Sequence, residues 1–165
     1  MHTPDSLIDL HVRCHRSLAK LFRHCRKLDN ELARRELDGF GFPDLHAQLF
    51  HIVDVEDWWM GGVSLMSRGG SKAEDFADIR ALDEWRKEVA QRTQSYLERA
   101  SRKELNEKHV LRCGGEKGPK LVPAFVLMHV VTHAYHHKGQ ASAMCRLLGH
   151  PAPETDLPMK GRSHR

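Results

Sequence analysis

Apolar residues recur every three or four positions along most of this chain, a spacing that predicts four amphipathic helices. From Asp5 to about Arg34 the repeat runs through Leu7, Leu10, Cys14, Leu18, Leu21, Cys25, Leu28 and Leu32, with Pro4 at its start. Asp38-Gly-Phe-Gly-Phe-Pro-Asp44 then breaks the pattern and reads as a loop. A second helix is expected from about Pro43 to Met60, carried by Leu45, Leu49, Ile52, Val53, Trp59 and Met60. Gly61, Gly62 and Ser67-Arg-Gly-Gly-Ser71 suggest a flexible connection to a third helix, from about Asp78 to Ala100, with Ile79, Leu82, Trp85, Val89, Tyr96 and Leu97 on its apolar face. Between Glu104 and Lys120 the pattern gives way to a short hairpin or irregular crossover around Cys113-Gly-Gly-Glu116.

The longest apolar run, Leu121 to Leu148, predicts a fourth helix of about seven turns. Pro123 fits its first position, and Gly149 and Pro151 stop it. The proline-rich and charged tail from His150 is expected to leave the bundle and to be loosely ordered from about residue 157. The expected fold is therefore all-α, a four-helix bundle in a single domain over residues 1–165.

Four histidines interrupt the fourth helix: His129, His133, His136 and His137. At about 100° per residue, Val126, His133, Gln140 and Met144 share a stripe, with His137 to one side and His129 and His136 to the other, so the histidines are expected to face the core. Imidazoles inside an apolar bundle need hydrogen bonds or a metal. Thirteen histidines in 165 residues give about one HxxxH pair by chance, and His11 and His15 form one such pair, so the spacing alone is weak. The triplet His129, His133, His137 on an apolar helix is stronger. His51, on a stripe with Gln48 and Val55 of the second helix, can point inward to meet two of them.

Two imidazoles one turn apart plus a third from a facing helix make a facial nitrogen set suited to one divalent transition metal. Zinc or nickel is expected first, with iron, cobalt, manganese or copper as the others. Three ligands leave positions free for water or substrate, which is the arrangement of a catalytic site. Gln48 and Gln140, one turn from His51 and His137, are candidates to orient imidazoles, and His129 and His136 are further candidates for the surrounding shell.

The net charge of +4 comes from 26 basic and 22 acidic residues interspersed along the chain, which does not favour a nucleic-acid partner. Cys14, Cys25, Cys113 and Cys145 include no CxxC, and Cys14 and Cys25 lie too far apart on one helix to bridge, so reduced thiols are expected. No apolar leader or membrane span is apparent, and a cytoplasmic location follows as an expectation.

HVVTHAYHHKGQ, from His129 to Gln140, continued by CRLLGHPAPETDL to Leu157, resembles the closing helix of the DinB-like (YfiT-like) metalloprotein superfamily. LFHIVDVEDWW, Leu49 to Trp59, is similar to that family's second helix. The resemblance implies a four-helix bundle, often a homodimer, with one divalent metal held at positions matching His51, His133 and His137. His129 and His136 match positions that usually do not ligate. The family's HRGQ is HKGQ here, with Lys138 where arginine is common; an ammonium does not reproduce the planar guanidinium fork. Characterised relatives include bacillithiol transferases and a mycothiol-dependent maleylpyruvate isomerase. The implied function is a metal-dependent transferase or hydrolase activating a low-molecular-weight thiol or water against a small electrophile. The alternative is a non-catalytic, metal-stabilised stress-response or scaffold protein.

Overall fold

The computed structural model describes residues 1–64, 70–112 and 118–159. Helix α1 (Pro4–Cys25) starts with a capping box in which Thr3 and Ser6 exchange side-chain to backbone hydrogen bonds of 3.2 Å, and Pro4 opens the first turn. The single helix expected to reach Arg34 is in fact two. The chain leaves α1 at Arg26, and the Asp29 carboxylate accepts the Leu32 N–H at 2.7 Å to cap a separate short helix, α2 (Asn30–Ala33). An aspartate at that point favours a cap over helix continuation.

Helix α3 (Leu45–Ser64) runs through Gly61 and Gly62, beyond the end expected at Met60. Both glycines are buried, and the Gly62 carbonyl accepts the Arg112 N–H at 3.2 Å, so they admit a close neighbour and do not form a loop. A 3-10 turn at Ala73–Asp75 precedes α4 (Ile79–Arg99), capped by Asp78. A short helix not foreseen from the pattern, α5 (Arg102–Asn106), is capped by Ser101. The expected hairpin follows as two short antiparallel strands, β1 (His109–Val110) and β2 (Lys120–Leu121), pairing His109 with Leu121 and Val110 with Lys120. Helix α6 (Pro123–Leu147) ends in a Schellman turn: Gly149, at φ 82°, gives its N–H to Arg146 at 3.1 Å, and His150 gives its own to Cys145 at 2.9 Å. The Cys113–Glu116 turn, part of the Ser67–Ser71 connection and the tail beyond Met159 lie outside the described residues.

Each long helix packs against two others in the order α1, α4, α3, α6, which closes a ring of four with α3 against α6 as the most extensive contact. Side-chain pairs give the directions. Gln48 meets His137 and Trp59 meets His129, so α3 and α6 are antiparallel. Phe50 stacks on Trp85 and Asp57 pairs with Arg92, so α3 and α4 run the same way. Ser17 meets Lys138 and Cys25 meets Cys145, so α1 runs with α6. The core is built on Leu18, Leu21, Phe22, Leu45, Leu49 and Leu82 in one cluster and on Leu7, Met60, Leu97, Leu105 and Leu127 in another. Burying each such side chain contributes about 1.5–3 kcal/mol to holding the helices together.

Lys138 points away from the other polar residues of α6, toward α1. Its ammonium donates to Ser17 Oγ at 2.7 Å and to the Thr155 carbonyl, and lies 3.4 Å from the centre of the Tyr135 ring. Burial pushes its pKa down to about 8. Ser17 also donates to Thr155, and Arg13 to the carbonyls of Pro158 and Met159. The tail to Met159 therefore returns along α1 and does not leave the bundle, because a buried ammonium needs acceptors and these backbone carbonyls supply them. Lys138→Ala should lower unfolding free energy by about 1–3 kcal/mol and expose the tail to protease. An unchanged melting curve and digestion pattern would show that the tail docks without the ammonium.

Candidate metal centre

Antiparallel packing of α3 on α6 sets His51 opposite His133 and His137, which are one turn apart. The Nε2 atoms of His51 and His133 are 3.2 Å apart. Ring centroids lie 4.8 Å apart for His51 and His133, 4.5 Å for His51 and His137, and 4.2 Å for His133 and His137. One ring nitrogen from each falls within 4.8 Å of the others. A tetrahedral ion with bonds of about 2.0–2.1 Å spaces its donors about 3.3 Å apart, so the His51 to His133 separation is already that of a ligand pair. All three rings are half-buried, and Phe42, from the loop before α3, lies over His51 at 4.2 Å between centroids.

Burial, reinforced by the His137 ring, pushes the pKa of His51 down to about 4. Burial and the neighbouring histidines do the same to His133, also to about 4. His137 is lowered by burial and by His136, with Gln140 opposing. At neutral pH the three imidazoles thus offer lone pairs instead of charge. The Gln48 amide, fully buried, lies 2.7 Å from His137 Nδ1, and Gln140 Oε1 lies 3.1 Å from the same atom. With its oxygen toward the ring, Gln48 accepts the Nδ1 proton and leaves Nε2 free as a ligand. With its nitrogen there, Nε2 carries the proton and the Gln48 oxygen is buried without a partner. Between His51 and His133 a single shared proton is all that hydrogen bonding can supply, whereas a cation satisfies both lone pairs. Spacing, neutrality and donor type all fit a divalent ion.

Of the other expected residues, Gln48 and Gln140 do reach the site. His129 and His136 do not face the core as expected; both are exposed. Successive steps of four residues drift about 40° around a helix, and this rotates His129 out of the seam. There it packs on Trp59 at 5.5 Å between centroids, while His136 Nε2 lies 3.3 Å from the Gln140 amide. Lys138 takes no part in the site.

A second polar cluster was not singled out from the sequence. His11 and His15 of α1 donate to the two oxygens of Glu56 on α3, at 2.9 and 2.8 Å, inside the bundle. Burial alone would raise the Glu56 pKa, but His15 and His11 override it and hold the carboxyl well below its usual range. Arg86, itself paired with Asp83, donates to His15 Nδ1 at 3.2 Å, which places the His15 proton on Nε2. An ion at Nε2 would need a protonated Nδ1 facing that guanidinium, so this group fits a hydrogen-bonded tie better than a cation. The available signal was the acidic pair Glu56-Asp57 on α3, four and five residues after Ile52, next to the apolar run Trp58-Trp59-Met60.

The imidazole shifts set a pH response. Folded pKa values near 4 for His51 and His133, below the ordinary 6.5, mean that protons bind the unfolded chain preferentially between these limits. The metal-free protein should keep full stability above pH 6.5 and lose it progressively as pH falls toward 4. In the double variant His51→Gln, His133→Gln the decline should be shallower, leaving the share due to the other groups held low, among them His137, His46, His15 and Glu56. Identical slopes in melting temperature against pH would exclude this origin.

Comparison with known proteins agrees with the geometry. A solved DinB-like protein from Bacillus cereus ATCC 10987 superposes with a TM-score of 0.61 over 86% of this chain and 94% of its own, at 18% identity, a likeness of fold. No curated protein matches the chain. The DinB family profile matches residues 9–164, which takes in most of α1, all of α3, α4 and α6 and the three converging histidines, and the chain belongs to the DinB family.

Proposed function

We propose that this protein is a metal-dependent enzyme in which His51, His133 and His137 hold one divalent ion and a low-molecular-weight thiol or water is turned on a small electrophile. The observation that carries this reading is the convergence of three neutral imidazoles from two helices, three donors among the described residues. When bound, such an ion acts as a Lewis acid that lowers the pKa of a coordinated thiol or water. The chain's own part is to hold and to orient. Gln48 and Gln140 fix the His137 ring through Nδ1, and Phe42 screens His51 from water on one side. Three protein donors leave coordination positions for substrate.

His133→Ala should lose stoichiometric metal, read by elemental analysis, together with any turnover found in a screen of thiols against electrophilic acceptors. Gln48→Ala should keep the site but weaken metal affinity about 10–100-fold. Full metal content in purified His133→Ala would refute the assigned ligand set.

The alternative is an ion that only ties helices together in a scaffold protein. Helices α3 and α6 already share the largest helix contact in the bundle, which argues against a need for one. Chelation should therefore lower stability only by ligand linkage, about 2.7 kcal/mol at free metal 100-fold above Kd, with helical content retained. Loss of helical circular dichroism on chelation would favour the scaffold.

A further inference from the structure

A cleft of about 420 Å³ runs alongside the first turns of α6, within the size range of small-molecule sites. Its walls are carbon: Trp59 from α3, Leu121 from β2, and Phe125 and Val126 from α6. Phe125 keeps 59% of its surface exposed although the His2 ring meets it edge-on at 5.8 Å between centroids, which leaves much of an aromatic ring to solvent. Two exposed ammoniums, Lys108 before β1 and Lys120 opening β2, stand at the hairpin end, and among the described residues neither has an ion-pair partner. At the other end stands His129, whose ring is 5.8 Å from that of His133 between centroids. From Pro123 to His129 the helix rises about 9 Å, so the cleft extends from the two lysines before it to the edge of the imidazole cluster.

We propose that this cleft binds an elongated amphipathic anion, with its carboxylate at Lys108 and Lys120, its apolar body along Trp59, Phe125 and Val126, and its far end at the histidine cluster. The charge decides the class. Two cations at the mouth of an apolar groove favour a molecule that combines hydrocarbon with a negative head over a neutral apolar one or an amine. The length decides the polarity of binding, because the inner end of the cleft is marked by His129, packed on Trp59 and one turn from His133. The inference rests on the metal-centre reading for its catalytic meaning: the electrophile would be a carboxylic acid that reacts about 10 Å from its carboxylate, on the scale of two helical turns.

Binding is tested without turnover, so that its failure is separate from failure of the metal reading. Decanoate and decan-1-ol are titrated calorimetrically into metal-free full-length protein. Decanoate should bind at least tenfold tighter than the alcohol, and Lys108→Glu with Lys120→Glu, both at exposed positions, should abolish that preference. Val122→Trp, which fills the cleft, should weaken both ligands, as should Phe125→Ala if the tryptophan variant does not fold. Equal affinity for the alcohol and the acid, or decanoate binding indifferent to both sets of variants, would overturn the proposal. So would a dimer dissociated by Phe125→Glu, which would show that a second copy of the chain covers this face.

Discussion

The contact between α3 and α6 is the constraint on which the rest of the molecule depends. Two helices with mixed faces meet antiparallel, and at their meeting place the chain sets three imidazoles with centroids 4.2–4.8 Å apart. Such a cluster is costly to charge, since each proton taken up would be half-buried and beside other rings. Neutral imidazoles with lone pairs turned toward one another are the result, and a cation is the partner that suits them. The packing around them is largely apolar, so the bundle itself holds the three rings close together.

The same residue pattern, two histidines one turn apart, occurs on α1 and on α6 with different outcomes. On α6 the group behind His137 is an amide that can accept a proton, and the ring is free to ligate through its other nitrogen. On α1 the group behind His15 is a guanidinium that can only donate, and the ring's remaining proton is committed to Glu56. What stands behind an imidazole decides what it offers in front. The Glu56 group links α1 to α3, which are not neighbours in the ring of helices, and so ties the bundle across its interior.

Lys138 illustrates how far a side chain's contacts can depart from those of its neighbours in sequence. In the sequence it stands between His137 and Gln140, two residues that reach the site, yet its ammonium turns to Ser17 and Thr155 and anchors the tail on α1. A flexible stem with a point charge can follow acceptors that a rigid planar fork would not match.

Four long helices, the hairpin, the stop at Gly149 and the pairing of His51 with His133 and His137 were legible in the chain, because period, caps and helical spacing are local properties and the family resemblance singled out the same three histidines. The break at Asp29, the helical state of Gly61 and Gly62 and the return of the tail were not, because each is settled by a partner far away in sequence or by competition between a cap and a continuing helix. The exposure of His129 and the service of His11 and His15 to Glu56 belong to the same class. A sequence determines which faces a helix can present; which of those faces is covered, and by which donor or acceptor, is decided only when the helices pack. The sign of that pairing, an amide behind one histidine and a guanidinium behind another, is what separates a group that could hold a metal from a hydrogen-bonded tie in this protein.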